Sequence, residues 1–245
     1  MGFPDLMARR RADALLVARG LARSREQAQA AIAAGGVSAN GAPVRKASML
    51  LAEDAALAFA PAHVWASRAG LKLAHALEAF AIGVDGAVAL DVGAAAGGFV
   101  DVLLARGAGH VYAVDVGRGQ LDARLRADPR VAVLEQQDAR TLTREQISAP
   151  PALVTCDASF IGLEKVLPRP LSLAAERAAL IALVKPQFES GPRRKARLAP
   201  AAARRIAEEA AARLDGLEGF RVAALIESPI EGGDGAVEFL LHAAR

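Results

Sequence analysis

The chain has little of what several common classes of protein require. Its 245 residues include one cysteine, Cys156, which excludes an intramolecular disulfide, and four scattered histidines without metal-ligand spacing. The start lacks the apolar core of a signal peptide, and the uncharged stretch at 27–44 is broken by Gly, Asn and Pro. We therefore expect a cytoplasmic protein with no metal, no membrane-spanning segment and no obligate protein partner.

The residues that are present indicate a folded protein with two regions of different charge. Hydrophobic residues make up 53% of the chain and charged residues 23%, and the length allows a large and a small domain. The net charge is +3. Residues 1–50 hold eight Lys/Arg and three Asp/Glu, a surplus of +5. This surplus favours a module that binds a polyanion, and a solvated basic face is the alternative.

Residues 9–60 are predicted to form a small α+β unit. Helical spacing over 11–20 and a Ser cap before a second helix at 24–36 are followed by Asn40-Gly41, a strong signal for a tight hairpin. Arginines and a lysine gather at the helix starts and after the hairpin, where phosphates can be bound. The basic residues predicted to contact RNA here are Arg9, Arg10, Arg11, Arg23, Arg25, Arg45 and Lys46, with Arg68 further along.

This arrangement resembles the αL RNA-binding motif, a small domain first described in a ribosomal protein of the small subunit. The matching residues are Arg11, Asp13, Ser24-Arg25, Gly35, Val37 and Asn40-Gly41. The resemblance implies an RNA-binding domain at residues 1–60, a linker at 61–66 and a second domain at 67–245. A helical packing or dimerisation subdomain is the alternative interpretation.

Residues 67–245 alternate apolar strands with helical segments. The predicted strands begin at Val88, Val111, Val131, Ala152, Ala179, Val222 and Val237. Near-continuous apolar strands separated by helices such as 98–106 and 201–214 are typical of a parallel sheet covered on both faces. No helix separates the last two strands, so they are predicted to form an antiparallel hairpin. The fold class is therefore α/β, with a seven-stranded sheet whose last strand is antiparallel.

A glycine-rich turn follows the first of these strands, in Asp91-Val-Gly93-Ala-Ala-Ala-Gly97-Gly98-Phe99. It lacks the Gly-x-Gly-x-x-Gly pattern of dinucleotide sites and the Gly-Lys-Ser/Thr of phosphate loops. It resembles the loop of class I methyltransferases that bind S-adenosylmethionine, and a plain tight turn is the alternative. The resemblance implies cofactor contacts from Asp91, Gly93, Ala94, Ala95, Gly97, Gly98, Phe99, Asp115, Val116, Asp138, Ala139 and Asp157.

Four charged residues in this half point to one active site. Asp157 and Lys185 end apolar runs, Glu238 stands at the start of the last strand, and Lys72 lies in an earlier Gly-Leu-Lys-Leu segment. A ribose hydroxyl must lose its proton as it attacks a methyl group, and a partly buried lysine can take that proton. Lys185 is the preferred base, with Lys72 as a neighbouring cation, and the sequence leaves open which of the two lysines takes the proton. Two structural salt bridges are the alternative.

The neighbouring Cys156 offers a different chemistry, because methylators of pyrimidine carbon use a cysteine nucleophile. They commonly carry a Pro-Cys pair, and no proline precedes Cys156. We therefore expect Cys156 to fill a buried strand.

Lys72, Asp157, Lys185 and Glu238 resemble the tetrad of FtsJ-type ribose 2′-O-methyltransferases. Together with the N-terminal unit, the chain resembles the TlyA (haemolysin A) family of ribosomal RNA methyltransferases. The supporting strings are Ser67-Arg-Ala-Gly-Leu-Lys72, Val114-Asp-Val-Gly-Arg-Gly-Gln-Leu121, Asp128-Pro-Arg130, Asp157-Ala-Ser-Phe-Ile161, Leu183-Val-Lys-Pro-Gln-Phe-Glu189 and Ser228-Pro-Ile230. The resemblance implies cytidine 2′-O-methylation, with ribosomal RNA or ribosomal subunits as partner.

The chain departs from the family at three places: Ala69, Ala94-Ala-Ala96 and the Arg-rich segment after Glu189. Residues 193–205 hold six Lys/Arg and no acid, which suggests an RNA-binding rim that includes Arg193, Arg194 and Lys195. A solvated helix start is the alternative. A ribosome-assembly factor without catalysis is the competing function, and membrane lysis finds no apolar span in the sequence to support it.

Overall fold

The computed structural model describes residues 9–189, 198–232 and 235–245. The chain divides into two compact units, Met1–Arg68 and Ala69–Arg245. The predicted division into residues 1–60, 61–66 and 67–245 stays a prediction.

From residue 9 onward, where the structure describes it, the N-terminal unit combines two helices with five short strands. Its elements are β1 (Arg9–Arg11), α1 (Ala12–Ala18), α2 (Arg25–Ala33), β2 (Val37–Ala39), β3 (Ala42–Pro43), β4 (Leu50–Ala52) and β5 (Leu57–Phe59). β1 pairs antiparallel with β4, and β2 lies between β3 and β5. Arg9–Arg11 therefore forms a short strand and α1 begins only at Ala12, whereas the sequence predicted a helix from Arg11.

Local sequence explains the second helix and the hairpin. Ser24 caps α2, because its hydroxyl accepts a hydrogen bond from the Gln27 amide at 3.1 Å. Asn40 and Gly41 both have positive φ, 50° and 79°, as the tightest hairpin turns require. The apolar sides of α1 and α2 join β2 in a small core that contains Leu16, Ile32 and Val37.

The second unit is built on a seven-stranded sheet. Its strands are β6 (Val88–Val92), β7 (His110–Asp115), β8 (Val131–Glu135), β9 (Leu153–Cys156), β10 (Ala179–Val184), β11 (Arg221–Glu227) and β12 (Phe239–Ala244). Its helices are α3 (Ala69–Ala79), α4 (Gly98–Ala105), α5 (Ala123–Arg126), α6 (Leu163–Val166), α7 (Pro168–Leu173), α8 (Pro186–Glu189) and α9 (Pro200–Leu214). Short 3₁₀ turns occupy Ala139–Thr141 and Leu217–Gly219.

The strand order is β11-β12-β10-β9-β6-β7-β8. Strands β6 to β10 are parallel to their neighbours in this series, and β12 is antiparallel to both β10 and β11. The predicted fold class and the antiparallel last pair are therefore confirmed. β12 begins at Phe239, so Glu238 lies one residue before the strand and not inside it.

The core is the middle of this sheet with helices on both faces. Strand residues such as Leu90, Val154 and Ile181 are fully buried, as expected of parallel strands covered twice. α6, α7 and α9 contribute apolar residues to the cluster that contains Leu90 and Val154, and α3 packs on α4. Within the described ranges, no helix is both long and apolar enough to span a bilayer.

Candidate active site

One edge of the sheet collects the charged residues that follow or precede its strands. Asp157 comes directly after β9, Lys185 directly after β10, and Glu238 directly before the antiparallel β12. Val184 pairs with Phe239 across β10 and β12, so Lys185 and Glu238 are the next residues of the same register. Asp115 is the last residue of β7 and ends at this edge too.

Lys185 is held by the loop after β9. Its Nζ lies 2.6 Å from Asp157 Oδ1 and donates hydrogen bonds to Ser159 Oγ at 2.8 Å and to the Asp157 carbonyl at 3.2 Å. The lysine side chain is 9% exposed and that of Asp157 is 16% exposed. The contact with Asp157 Oδ1 is an ion pair, and the other two contacts are hydrogen bonds. Ser159 supplies the one neutral side chain among them.

Lys72 and Glu238 form the second pair. Lys72 Nζ lies 2.5 Å from Glu238 Oε2, and both side chains are nearly buried. Gly232 makes room for this carboxylate, since a Cβ there would lie 2.1 Å from Glu238 Oε1. Buried ion pairs are poor stabilisers, because desolvation of the two charges offsets their attraction. Two such pairs beside one sheet edge therefore favour a chemical role over a structural one.

A cavity of about 480 Å³ opens at the same edge. Among the described residues it is lined by Val92, Gly93, Ala95, Val114, Asp115, Val116, Gly117, Gln120, Gln137, Asp138, Ala139, Arg140, Asp157, Ala158, Ser159, Phe160, Ile161 and Val166. Asp157 and Ser159 belong both to this lining and to the contacts of Lys185. The cavity therefore reaches the Lys185 pair, as a site that joins a small ligand to a reacting group requires.

Gly93 lets the loop after β6 approach the loop after β9. Its φ is +85°, and a Cβ on it would lie 2.9 Å from the Ala158 nitrogen and 3.0 Å from the Asp157 carbonyl. Any side chain here would displace the backbone that carries Asp157. The glycine is therefore needed for the shape of the cavity wall.

Asp115 and Asp138 place carboxylates in the cavity wall. Asp115 accepts hydrogen bonds from the amides of Ala95, at 2.8 Å, and Gly117, at 2.6 Å. Asp138 pairs with Arg140 at 2.6 Å, and this guanidinium holds the pKa of Asp138 below its usual value. Asp138 is therefore a charged acceptor at neutral pH.

Five other residues predicted to contact a cofactor are buried and do not belong to the lining: Asp91, Ala94, Gly97, Gly98 and Phe99. Asp91 lies inside β6, where Thr155 donates a hydrogen bond to Oδ1 at 2.7 Å. Its Oδ2 has no partner within the described part of the chain. Burial raises the pKa of Asp91 to about 7. These five buried residues therefore support the glycine-rich loop without lining the cavity.

Cys156 is fully buried in β9, and burial raises the pKa of its thiol to about 12. A thiol that stays protonated is a poor nucleophile. The structure therefore agrees with the interpretation of Cys156 as a core residue.

Comparison with known proteins identifies both units. The profile of the FtsJ-like methyltransferases matches residues 65–245, and that of the S4 domain matches residues 10–56. The chain is 46% identical, over 250 residues, to the 16S/23S rRNA (cytidine-2′-O)-methyltransferase TlyA of Mycobacterium tuberculosis. That alignment covers 96% of this chain and 90% of the relative. The chain belongs to the TlyA family of FtsJ-like methyltransferases.

Two further similarities span nearly the whole chain. YqxC of Bacillus subtilis is 39% identical over 237 residues, covering 95% of this chain and 84% of YqxC. A solved protein from Streptococcus thermophilus, named as a candidate hemolysin, matches with a TM-score of 0.76 and 36% identity. The match covers 98% of this chain and 89% of the Streptococcus thermophilus chain. The predicted family is therefore confirmed over both units.

The protein is a methyltransferase of this family, and its methyl donor is S-adenosylmethionine. The cavity fits such a molecule on its own observations. Gly93 lets the loops after β6 and β9 close into one cavity wall, and Val116 and Ala139 add apolar wall. The carboxylates of Asp115 and Asp138 can accept hydrogen bonds from hydroxyl or amino groups.

Eleven lining residues of this TlyA-family site were not predicted as site residues from the sequence, among them Ser159, Phe160 and Arg140. Phe160 is 72% exposed, has a φ of +68° and lies 5.1 Å from the Phe188 ring, centroid to centroid. Exposure and a positive φ are both unusual for phenylalanine. Ser159 and Phe160 lie in the Asp157-Ala-Ser-Phe-Ile161 string, which indicates the family but gives no separate role to the serine or the phenylalanine. Arg140 could have been found from its position two residues after Asp138, where a guanidinium can pair with that carboxylate.

The predicted RNA-binding residues of the N-terminal unit fall into different environments. Arg10 pairs with Glu53 at 3.0 Å, and Arg23 donates to the Val64 carbonyl at 2.9 Å. Arg11 and Arg25 both contact the buried carboxylate of Asp13. The remaining ones, Arg9, Arg45, Lys46 and Arg68, are exposed. Arg193, Arg194 and Lys195 lie outside the described residues.

Proposed function

We propose that this protein transfers a methyl group from S-adenosylmethionine to the 2′-oxygen of a cytidine ribose in ribosomal RNA. The observation that carries the proposal is the pairing of four charged side chains, Lys72 with Glu238 and Lys185 with Asp157, at the sheet edge where the cavity opens. The family and the named activity of the Mycobacterium tuberculosis relative support the substrate. That relative is named for both ribosomal subunits, so large and small subunit RNA are both candidates.

Lys185 is the proposed base. As the ribose oxygen bonds to the methyl carbon and the sulfur–carbon bond breaks, the hydroxyl proton passes to Lys185 Nζ. To receive it, the lysine must be neutral and must release a contact. The longest contact, to the Asp157 carbonyl at 3.2 Å, is the one released, while the hydrogen bond to Ser159 Oγ is kept and holds Nζ at the exposed side of the cavity. Asp157 then holds the resulting ammonium.

Lys72 and Glu238 orient this centre. Lys72 reaches the same sheet edge through its contact with Glu238, which is the next residue of the register beside Lys185. Glu238 compensates Lys72 and keeps the site close to neutral overall. Each acid thus fixes one lysine.

The cofactor-binding residues of the proposal are those on the cavity wall. S-adenosylmethionine, when bound, supplies a methyl group activated by a positively charged sulfur. Asp115 and Asp138 are the proposed acceptors for its hydroxyl and amino groups, and Gly93, Ala95, Val116 and Ala139 the proposed walls. Asp91, Ala94, Gly97, Gly98 and Phe99 are proposed to act through the shape of the loop.

The N-terminal unit is the proposed docking module for RNA. Its S4-domain match and its surplus of positive charge support binding to a structured polyanion. The proposed organisation keeps the RNA-binding domain at 1–60 and the methyltransferase domain at 67–245. We place the protein in the cytoplasm with ribosomes, without an obligate protein partner.

The proposal is tested by incubating the protein with each ribosomal subunit, with free ribosomal RNA and with donor carrying a labelled methyl group. We expect label on ribose, in a cytidine, on at least one substrate. Label on a base would refute the ribose chemistry. No transfer to subunits, free RNA or assembly intermediates would refute the enzymatic function and favour an assembly factor without catalysis.

A further inference from the structure

Asp13 is a buried carboxylate of the N-terminal unit that accepts hydrogen bonds from several side chains. It is 0% exposed, on the first turn of α1. Oδ1 accepts from Arg11 Nε at 3.0 Å and from the Ala14 amide at 2.9 Å. Oδ2 accepts from Arg11 Nη2 at 3.1 Å, Arg25 Nη2 at 2.8 Å and Gln29 Nε2 at 2.9 Å. One acid therefore holds two arginines from different elements.

The acid and its cations face different environments. The Arg11 hydrogen bonds, with those of Arg25, Gln29 and Ala14, hold the pKa of Asp13 far below its usual range. The carboxylate is therefore charged although it is buried. In contrast, the side chains of Arg11 and Arg25 are 46% and 58% exposed. The structure thus keeps a negative charge inside in order to fix two positive charges at the surface.

The exposed arginines keep donors available. A guanidinium has five N–H groups, and the contacts with Asp13 use the Nε and Nη2 atoms. Across the described ranges, Nη1 of neither arginine makes a hydrogen bond. Two guanidinium groups with free donors and fixed planes match the oxygens of phosphate.

We propose that Asp13 is a positioning residue that fixes Arg11 and Arg25 as a preformed phosphate-binding pair, the arginine clamp, for the RNA backbone. The inference rests on the proposed RNA substrate. Because the two long side chains are ordered when the unit folds, less conformational entropy is lost when RNA binds. The clamp differs from Arg10 and Arg23, whose contacts include an exposed glutamate and a backbone carbonyl respectively.

Asp13→Asn separates positioning from simple charge. The substitution keeps the shape of the side chain and makes the unit more positive by one charge. If charge alone governs affinity, RNA binds more tightly; if Asp13 positions the arginines, RNA binds about 10-fold more weakly at fixed salt. Asp54→Asn is the matched control, because Asp54 is exposed in the same unit and gives the same change in charge. We expect Asp54→Asn to change the dissociation constant less than 2-fold, toward tighter binding.

The measurement is binding of the full chain to ribosomal RNA at several salt concentrations, with circular dichroism and a thermal melt on each variant. In an Arg11→Ala/Arg25→Ala background, Asp13→Asn should add no further loss, because nothing remains to be positioned. Affinity of a folded Asp13→Asn equal to or tighter than that of Asp54→Asn would overturn the proposal.

A second variant tests the arginine clamp if Asp13→Asn does not fold. Arg25→Lys keeps the charge but replaces the planar fork with a single ammonium. The clamp predicts about 5-fold weaker RNA binding for Arg25→Lys, and unchanged affinity contradicts it. These outcomes are distinct from failure of the proposed function, in which the wild-type chain itself neither binds nor methylates RNA.

Discussion

The arginine clamp and the lysine pairs use the same kinds of charge in opposite arrangements. In the N-terminal unit a fully buried acid, Asp13, holds two exposed arginines. In the methyltransferase unit two lysines with 9% exposed side chains are each held by one acid. The first arrangement presents cations to a large polyanion, and the second shields cations from water beside a small cavity.

The difference teaches that burial alone does not define the role of a charge. Exposed cations attract phosphates over distance and lose strength with salt, whereas buried ones are screened little and act on a hydroxyl in contact. The arginine clamp should therefore control how much RNA is bound, and the lysine pairs how fast bound RNA reacts.

Lys185→Ala should have the largest effect. Without the proposed base, single-turnover methyl transfer should fall about 100- to 10,000-fold, while binding of cofactor and RNA changes little. Lys165→Ala is the control, since Lys165 is an exposed lysine on α6. Turnover near the wild-type rate in Lys185→Ala would remove Lys185 as the base.

Gly93→Ala should weaken cofactor binding in the cavity without altering the arginine clamp. The φ of +85° and the contact with the Ala158 nitrogen oppose a Cβ, at a cost of about 1–3 kcal/mol. We expect about 10- to 100-fold weaker cofactor binding by calorimetry and unchanged RNA affinity. Gly83→Ala is the control, because a Cβ there meets no atom within 4 Å. Equal cofactor affinity in the two variants would contradict this view of the loop.

Ser159→Ala removes the neutral acceptor of Lys185. A hydrogen bond of this kind contributes about 1 kcal/mol, so the saturated rate should fall about 5-fold while half-saturating RNA changes little. Ser159→Thr retains a hydroxyl and should recover most of the rate. A loss that appears in RNA affinity and not in the rate would instead assign Ser159 to binding.

The smallest expected effect is on the pH dependence of stability, where two buried acids, Asp13 and Asp91, should behave differently. Asp13 has a lowered pKa, so its contribution to stability is complete above its ordinary value of 3.8 and is lost only in stronger acid. Asp91 has a pKa raised from 3.8 to about 7, so its contribution is complete below about pH 4 and is lost as the pH rises toward 7. Of these two acids, only Asp91 therefore makes the free energy of unfolding depend on pH between 5.5 and 8.

Thermal melts at the two pH values check this sign. Wild type should lose about 1–2 kcal/mol more stability than Asp91→Asn between pH 5.5 and 8. Asp85→Asn, at an exposed carboxylate, should keep the wild-type slope. An unchanged slope in Asp91→Asn would show that Asp91 titrates normally.

Much of the methyltransferase unit was predictable because its signals are local. Continuous apolar strands such as 179–184 specify parallel pairing, and a charge directly after a strand must lie at the sheet edge. The same reasoning placed Asp157, Lys185 and Glu238 at one edge before the structure showed them there. The fold class and the antiparallel last pair follow from these patterns.

Side-chain partners and weak strands were not predictable. The contacts of Ser159 with Lys185 and of Asp138 with Arg140 depend on loop conformations. The periodic hydrophobic pattern that predicts helices and strands does not encode these conformations. Arg9–Arg11 has poor strand propensity, and it becomes a strand only because β4 pairs with it. The burial of Asp91 follows from its position inside β6, next to Thr155, which the glycine-rich motif alone does not reveal.

The salt dependence of methyl transfer tests the division of roles most directly. Single-turnover rates are measured over a range of ribosomal substrate at increasing salt. We predict that half-saturating RNA rises steeply with salt, while the rate at saturation stays within about 2-fold, because exposed arginines are screened and buried lysine pairs are not. A saturated rate that falls as steeply as the affinity would contradict the account.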